Sequence, residues 1–193
     1  MAGPLALFNP WFVSFEQGRS GVPARLATNQ AEVDRVTGAM LCDLLFGCDD
    51  FGERITPSTP LLTDAERSHM RDVARLVRVL WLVLVVAVGL LVAGAVALRR
   101  EPRRVGAILI WTSGSVAMMT IVLSGFFAVA FDQAFLLFHR IFFPEGNFLF
   151  GADSNLLRLF PDGFWFESSL AAGFLIVLSA LAATLAGWRL LRR

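Results

Sequence analysis

The chain has 193 residues, 56% of them hydrophobic, with a mean hydropathy of +0.64. Together with long uncharged stretches, this excludes an ordinary soluble domain and points to an integral membrane protein. A net charge of +1 gives no basis for nucleic-acid binding, and the all-arginine basic set with no tyrosine reads as a compositional habit before it reads as function.

Residues 1–28 show no clear period. They carry Pro4, Pro10 and Pro23, and aromatic rings at Phe8, Trp11, Phe12 and Phe15 that suit either a membrane–water boundary or an irregular loop over an apolar core. No signal peptide is visible, since a basic opening and a sufficient apolar core are both lacking. Asn29 to Glu32 reads as a capping box. Val33, Val36, Met40, Leu41, Leu44 and Leu45 then keep helical spacing to Gly47, so an amphipathic helix is expected over 29–46. Cys42 and Cys48 read equally well as a disulfide or as two small buried residues; with no histidine nearby, a metal site is the weaker idea. Residues 47–62 are rich in breakers and read as a loop.

Thr63 to Glu66 forms a second capping box and opens a pattern without a breaker until Glu101-Pro102. Val79 to Leu98 is uncharged, about 30 Å of helix at 1.5 Å per residue, enough to span a bilayer. The basic turn at 99–104 separates it from a second uncharged stretch, Val105 to Phe131. There Ser113, Gly114, Ser115, Ser124 and Gly125 read as close-packing positions. Phe131 to Phe143, FDQAFLLFHRIFF, follows at once and carries His139, which on a helix shares a face with Asp132, Phe135, Phe142 and Phe143. Residues 143–166 mix Pro, Gly, Asn and Asp with aromatic clusters and read as an irregular cap. Ser168 to Trp188 is a third span.

The expected organisation is a first cap segment at 1–72 and a transmembrane helix at 73–98, then a cytoplasmic turn at 99–104 and a transmembrane helix at 105–131. A second cap segment at 132–167, a transmembrane helix at 168–190 and a tail at 191–193 complete it. Arginines at 99–104 and 189–193 place those ends in the cytoplasm, so both cap segments face outward and His69 approaches His139 at one membrane surface. An outward N-terminus with no export signal leads to the expectation of a further membrane helix upstream of Met1, with residues 1–8 as its last turn or two.

The chain's two histidines, each near carboxylates (Glu66 and Asp72; Asp132), suit proton transfer near neutral pH. Glu66, three residues before His69, and Asp72, three after it, are candidates to orient that ring or raise its pKa, or are plain helix-surface charges. Arg140 is a candidate for holding an ester carbonyl or oxyanion, or an interfacial arginine.

The run Glu66-Arg67-Ser68-His69-Met70-Arg71-Asp72-Val73 and the run Phe138-His139-Arg140-Ile141-Phe142-Phe143 are followed by Glu145-Gly146-Asn147-Phe148, Asp153 to Leu157 and Leu159-Phe160-Pro161. With the opening Asn9-Pro10-x-Phe12, this series resembles the bacterial lipoprotein intramolecular transacylase family across nearly the whole chain. The resemblance implies an all-α membrane protein: a transmembrane helical bundle, three spans here and four in the family, under an extracytoplasmic, partly irregular, aromatic-rich cap. It also implies two catalytic histidines, His69 and His139, at the cap–membrane boundary, and matches Asn147 and Asp153 to family positions. The implied reaction moves the sn-2 acyl chain of a diacylglyceryl lipoprotein to the α-amine of its N-terminal cysteine, giving the lyso-form. No cofactor or metal is implied; the implied partners are that lipoprotein and the bilayer of the bacterial cytoplasmic membrane.

Phe135, Phe138, Phe142, Phe143, Phe148 and Trp165 would then wall the site. Two rival readings are a lipid or lipoprotein hydrolase using the same histidines with water, and a non-enzymatic membrane interaction protein. A transporter is disfavoured, because no span carries an ionisable residue within its apolar core.

Overall fold

The computed structural model describes residues 7–56 and 59–192. The expectation that residues 1–8 close a preceding helix lies, for residues 1–6, outside the described residues. The chain is an all-α membrane fold: three long apolar helices beneath a cap of shorter ones.

The opening is not irregular. Helix α1 covers Pro10–Arg19, with Asn9 accepting a hydrogen bond from the Trp11 N–H at 2.9 Å and Pro10 at the first helical position. Asn followed by Pro is a strong start signal, because the cap oxygen satisfies an orphan N–H and proline has none to satisfy. A short α2, Val22–Arg25, leads to α3, Gln30–Phe46. Asn29 caps α3 through the Glu32 N–H, but Glu32 turns to Arg35 at 2.6 Å instead of closing the box. Gly47, at φ +71°, ends the helix in a left-handed turn. Cys42 and Cys48 are bonded, with Cα atoms 5.7 Å apart. Between them Asp43 accepts from the Asp49 and Phe51 N–H groups, which fixes the loop and delivers Phe51 to the core. The breaker-rich loop beyond contains a small antiparallel pair, β1 (Arg54–Thr56) and β2 (Thr59–Pro60).

Helix α4 covers Asp64–Ala97, and here the Thr63/Glu66 capping box is complete. Its first four turns bury Met70, Ala74 and Val77 in the cap core with Val33, Val36, Met40 and Leu44 of α3. Beyond Arg78 its apolar stretch lies at the surface, ready for lipid. Helix α5, Pro102–Val129, breaks at Ala130 (φ −135°, ψ 52°) into α6, Phe131–Phe142. A short α7, Asn155–Leu159, precedes α8, Asp162–Leu191, which starts well before the apolar stretch at Ser168. Pro161 supplies the extended residue from which that helix begins.

Helices α5 and α8 pack backbone to backbone. A Cβ on Gly106 would lie 2.6 Å from the Gly187 carbonyl oxygen, and one on Gly187 would lie 2.8 Å from that of Gly106. Ser113 and Thr184 share a hydrogen bond of 2.7 Å midway along, and Gly173 faces Ser124. Gly114 and Gly125, expected at the contact, face open space, and Ser115 is exposed. The contact stripe runs Gly106, Ser113, Thr120 and Ser124, and at 100° per residue positions 114, 115 and 125 fall outside it.

Candidate active site

Two elements carry the histidines. His69 lies in the outer turns of α4, before its uncharged stretch, and His139 near the end of α6. The break at Ala130 aims α6 so that the rings stack, with centroids 5.9 Å apart and planes 26° from parallel. Both are buried: His69 is 5% exposed and His139 9%.

Phenyl rings enclose the pair. Phe143 lies 4.8 Å from His69 and 5.6 Å from His139, Phe135 4.2 Å and Phe148 5.0 Å from His139, and Phe150 5.6 Å from His69. Phe138 adjoins His139 at 5.4 Å, while Phe142 packs on Phe138 at 4.8 Å and Trp165 reaches Phe135 at 6.4 Å, forming an outer layer. Phe150 was not among the residues expected here, although its alternation with Phe148 in the loop is a readable sign that both rings point one way. Ser154 was also missed, despite its cap position before Asn155-Leu156-Leu157.

His139 Nδ1 lies 2.9 Å from the Phe135 carbonyl oxygen. A carbonyl only accepts, so Nδ1 carries the hydrogen and Nε2 keeps its lone pair. Burial pushes the His139 pKa down, against a smaller upward effect of that bond. The His69 pKa is pushed down to about 4, first by burial and then by the charge His139 would carry, opposed by Asn147 and Asp72. Both rings are therefore neutral at pH 7, the state required of a base. The expected carboxylate beside His139 is not found: Asp132 is exposed, and the Phe135 carbonyl takes its place.

Glu66 does not face His69 as an orienting group would. Only 2% exposed, its carboxylate accepts from the Thr63 N–H at 2.7 Å, the Thr63 hydroxyl at 2.9 Å, the Leu156 N–H at 3.1 Å and the Ser154 hydroxyl. Burial works to raise its pKa, and these hydrogen bonds outweigh it, leaving the group below the ordinary carboxylate range. Glu66 thus ties the start of α4 to the second cap segment. Asp72 accepts from the Asn147 amide at 2.6 Å and pairs with Arg75 at 2.7 Å. Arg140 and Asp153 are exposed and stand outside the ring cluster. Among the described residues no His, Cys, Asp and Glu group of metal-binding size occurs.

A family profile described as lipoprotein intramolecular transacylase Lit matches residues 5–165. An uncharacterized protein of Aquifex aeolicus is 27% identical over 136 residues, covering 70% of this chain and 59% of its own length, so the chain spans under two thirds of that relative. The in meso structure of the membrane integral lipoprotein intramolecular transacylase Lit from Bacillus cereus superposes with a TM-score of 0.86 at 18% identity, over 98% of this chain and 87% of that one. A structure of the same protein with a histidine-to-arginine mutation gives 0.78 at 18%, over 98% and 84%. At that identity the likeness is one of fold.

Proposed function

The chain belongs to the lipoprotein intramolecular transacylase family, and from that premise we propose that it moves the sn-2 acyl chain of a diacylglyceryl lipoprotein to the α-amine of its N-terminal cysteine. The observation that carries this reading is the pair of buried, stacked imidazoles in a phenyl-walled chamber, each with its pKa pushed down by that burial.

The chemistry needs two proton acceptors. The amine arrives largely as ammonium, with a pKa near ~8. It must lose one proton before attack and a second as the amide forms, while the departing glyceryl oxygen gains one. His139, whose Nε2 lone pair is left bare by the Phe135 carbonyl, takes the first and releases it to water. His69, its pKa pushed down to about 4, relays the second from nitrogen to the glyceryl oxygen: once protonated, it gives that proton up readily. Ester plus ammonium thus give amide, alcohol and one free proton. Each transfer contributes roughly 10²–10⁴ in rate. Since amine and ester belong to one molecule, holding them together supplies several kcal/mol more, about 7–11 in the best cases.

The cap lies outside the cytoplasmic membrane in this reading. Support comes from the arginines at 99–104 and 189–192, and from the Cys42–Cys48 bridge, which suits an oxidising compartment. The purified chain in lipid nanodiscs, given a diacylglyceryl lipoprotein, should yield an N-acylated product with total acyl mass conserved. Release of free fatty acid would make it a hydrolase instead.

A further inference from the structure

Asn147 sits in the irregular loop beyond α6, and its side chain bonds Asp72, three residues after His69 on α4. Its amide nitrogen donates to Asp72 Oδ2 at 2.6 Å. A carboxylate offers only acceptors, so the amide cannot be turned the other way round, and Asn147 Oδ1 must look away from Asp72. That oxygen and His69 Nδ1 are both buried and neither has a hydrogen-bond partner. They are complementary, and Asn147 is among the groups that act on the His69 ring.

We infer that Asn147, oriented by Asp72, is a positioning residue that fixes the proton of neutral His69 on Nδ1 and leaves Nε2 bare. The logic is a relay of hydrogen-bonding polarity. Arg75 pairs with Asp72 at 2.7 Å, Asp72 demands a donor, the amide turns its donor there and its acceptor to the ring, and the ring must answer with N–H. The Phe135 carbonyl imposes the same tautomer on His139. Both imidazoles then present Nε2 as a base, which is what removing two protons from one nitrogen requires. The use of that nitrogen in acyl transfer rests on the function proposed above; the tautomer itself does not.

The chain has two histidines, so ring-nitrogen-15 labelling of histidine in the full chain, in micelles, gives four ring signals, assigned with His69→Gln and His139→Gln chains. At pH 7 both rings should show a protonated Nδ1 and a bare Nε2. In Asn147→Ala the His69 signals should shift to a mixture with substantial Nε2–H, while those of His139 stay put. The exchanged pair Asp72→Asn with Asn147→Asp keeps an acceptor against the ring. It should restore Nδ1–H on His69 and raise its pKa above that of the unsubstituted chain, a change that a merely structural role would not produce. Wild-type His69 protonated on Nε2, or an Asn147→Ala chain with an unchanged His69 tautomer, overturns the inference. If Asn147→Ala disturbs both rings, the exchanged pair decides: Nδ1–H retained supports the inference, and Nδ1–H lost overturns it. No step of this experiment reads acyl transfer, so the proposed reaction can fail while the tautomer stands, and the reverse.

Discussion

Replacing Glu66 with alanine should loosen the cap without touching the histidines directly. Its carboxylate accepts from Thr63, Ser154 and Leu156, and alanine leaves those donors with no acceptor in a site where Glu66 is 2% exposed. Each abandoned buried donor costs about 1–3 kcal/mol, so the four (the Thr63 N–H and hydroxyl, the Leu156 N–H and the Ser154 hydroxyl) cost about 4–12. Relief of the charge's own desolvation offsets much of this, and about 3–5 kcal/mol is the expected loss. For a chain of this length that is a fall in melting temperature of about 6–20 °C, read by circular dichroism in detergent. Glu66→Gln keeps one acceptor oxygen and should lose about 1–3 kcal/mol. The folded pKa of Glu66 is depressed, so its contribution is full above the ordinary carboxylate value and lost as pH falls through the folded one. The alanine penalty should accordingly shrink in acid. An alanine variant within about 1 kcal/mol of wild type at pH 7 would refute the clamp, as would a penalty that does not change with pH.

His69→Gln and His139→Gln should each lower acyl transfer by about 10²–10⁴ with melting temperature kept, and the double variant should lose little more, as expected of groups that act as a unit. Because burial pushes the pKa of both rings down, that of His69 to about 4, activity limited by these bases should hold to a lower pH than the ordinary imidazole range allows before it falls in acid, followed as initial rate against pH. Glu16, buried opposite Glu167, has its pKa pushed up to about 7, chiefly by burial and then by that neighbour; its stabilising effect is full below the ordinary carboxylate value and lost as pH rises through 7. Glu16→Gln should therefore stabilise the protein at pH 8 and not at pH 5, by melting temperature. Gly106→Ala would force the α5 and α8 backbones apart and should cost about 1–3 kcal/mol, whereas Gly114→Ala, facing open space, should cost nothing measurable in the same melt.

What could be read from the sequence was what local chemistry decides. The Thr63/Glu66 box, the Gly47 stop, the three uncharged spans and the approach of His69 to His139 each follow from near neighbours or from span length and charge. Helix α1 was also written locally, in Asn9-Pro10, but its aromatic residues masked the signal. The partners of Glu66 were out of reach, because Ser154 lies 88 residues away and only the folded cap brings it near. So was the group that orients His139: a carbonyl is the same on every residue, and only geometry says that Phe135 supplies it. The break at Ala130 decides the site, because it separates the uncharged span that starts at Val105 from the helix that carries His139.

The most direct test labels the sn-2 acyl chain of a reporter diacylglyceryl lipoprotein with heavy isotope and embeds it in unlabelled lipid with the purified chain. Fragmentation of the reporter's N-terminal peptide should place the heavy chain on the cysteine amine, the light chain on the glyceryl group, and no acyl chain from the surrounding lipid on either. A heavy chain that is released as fatty acid, or a light lipid chain on the amine, would contradict intramolecular transfer.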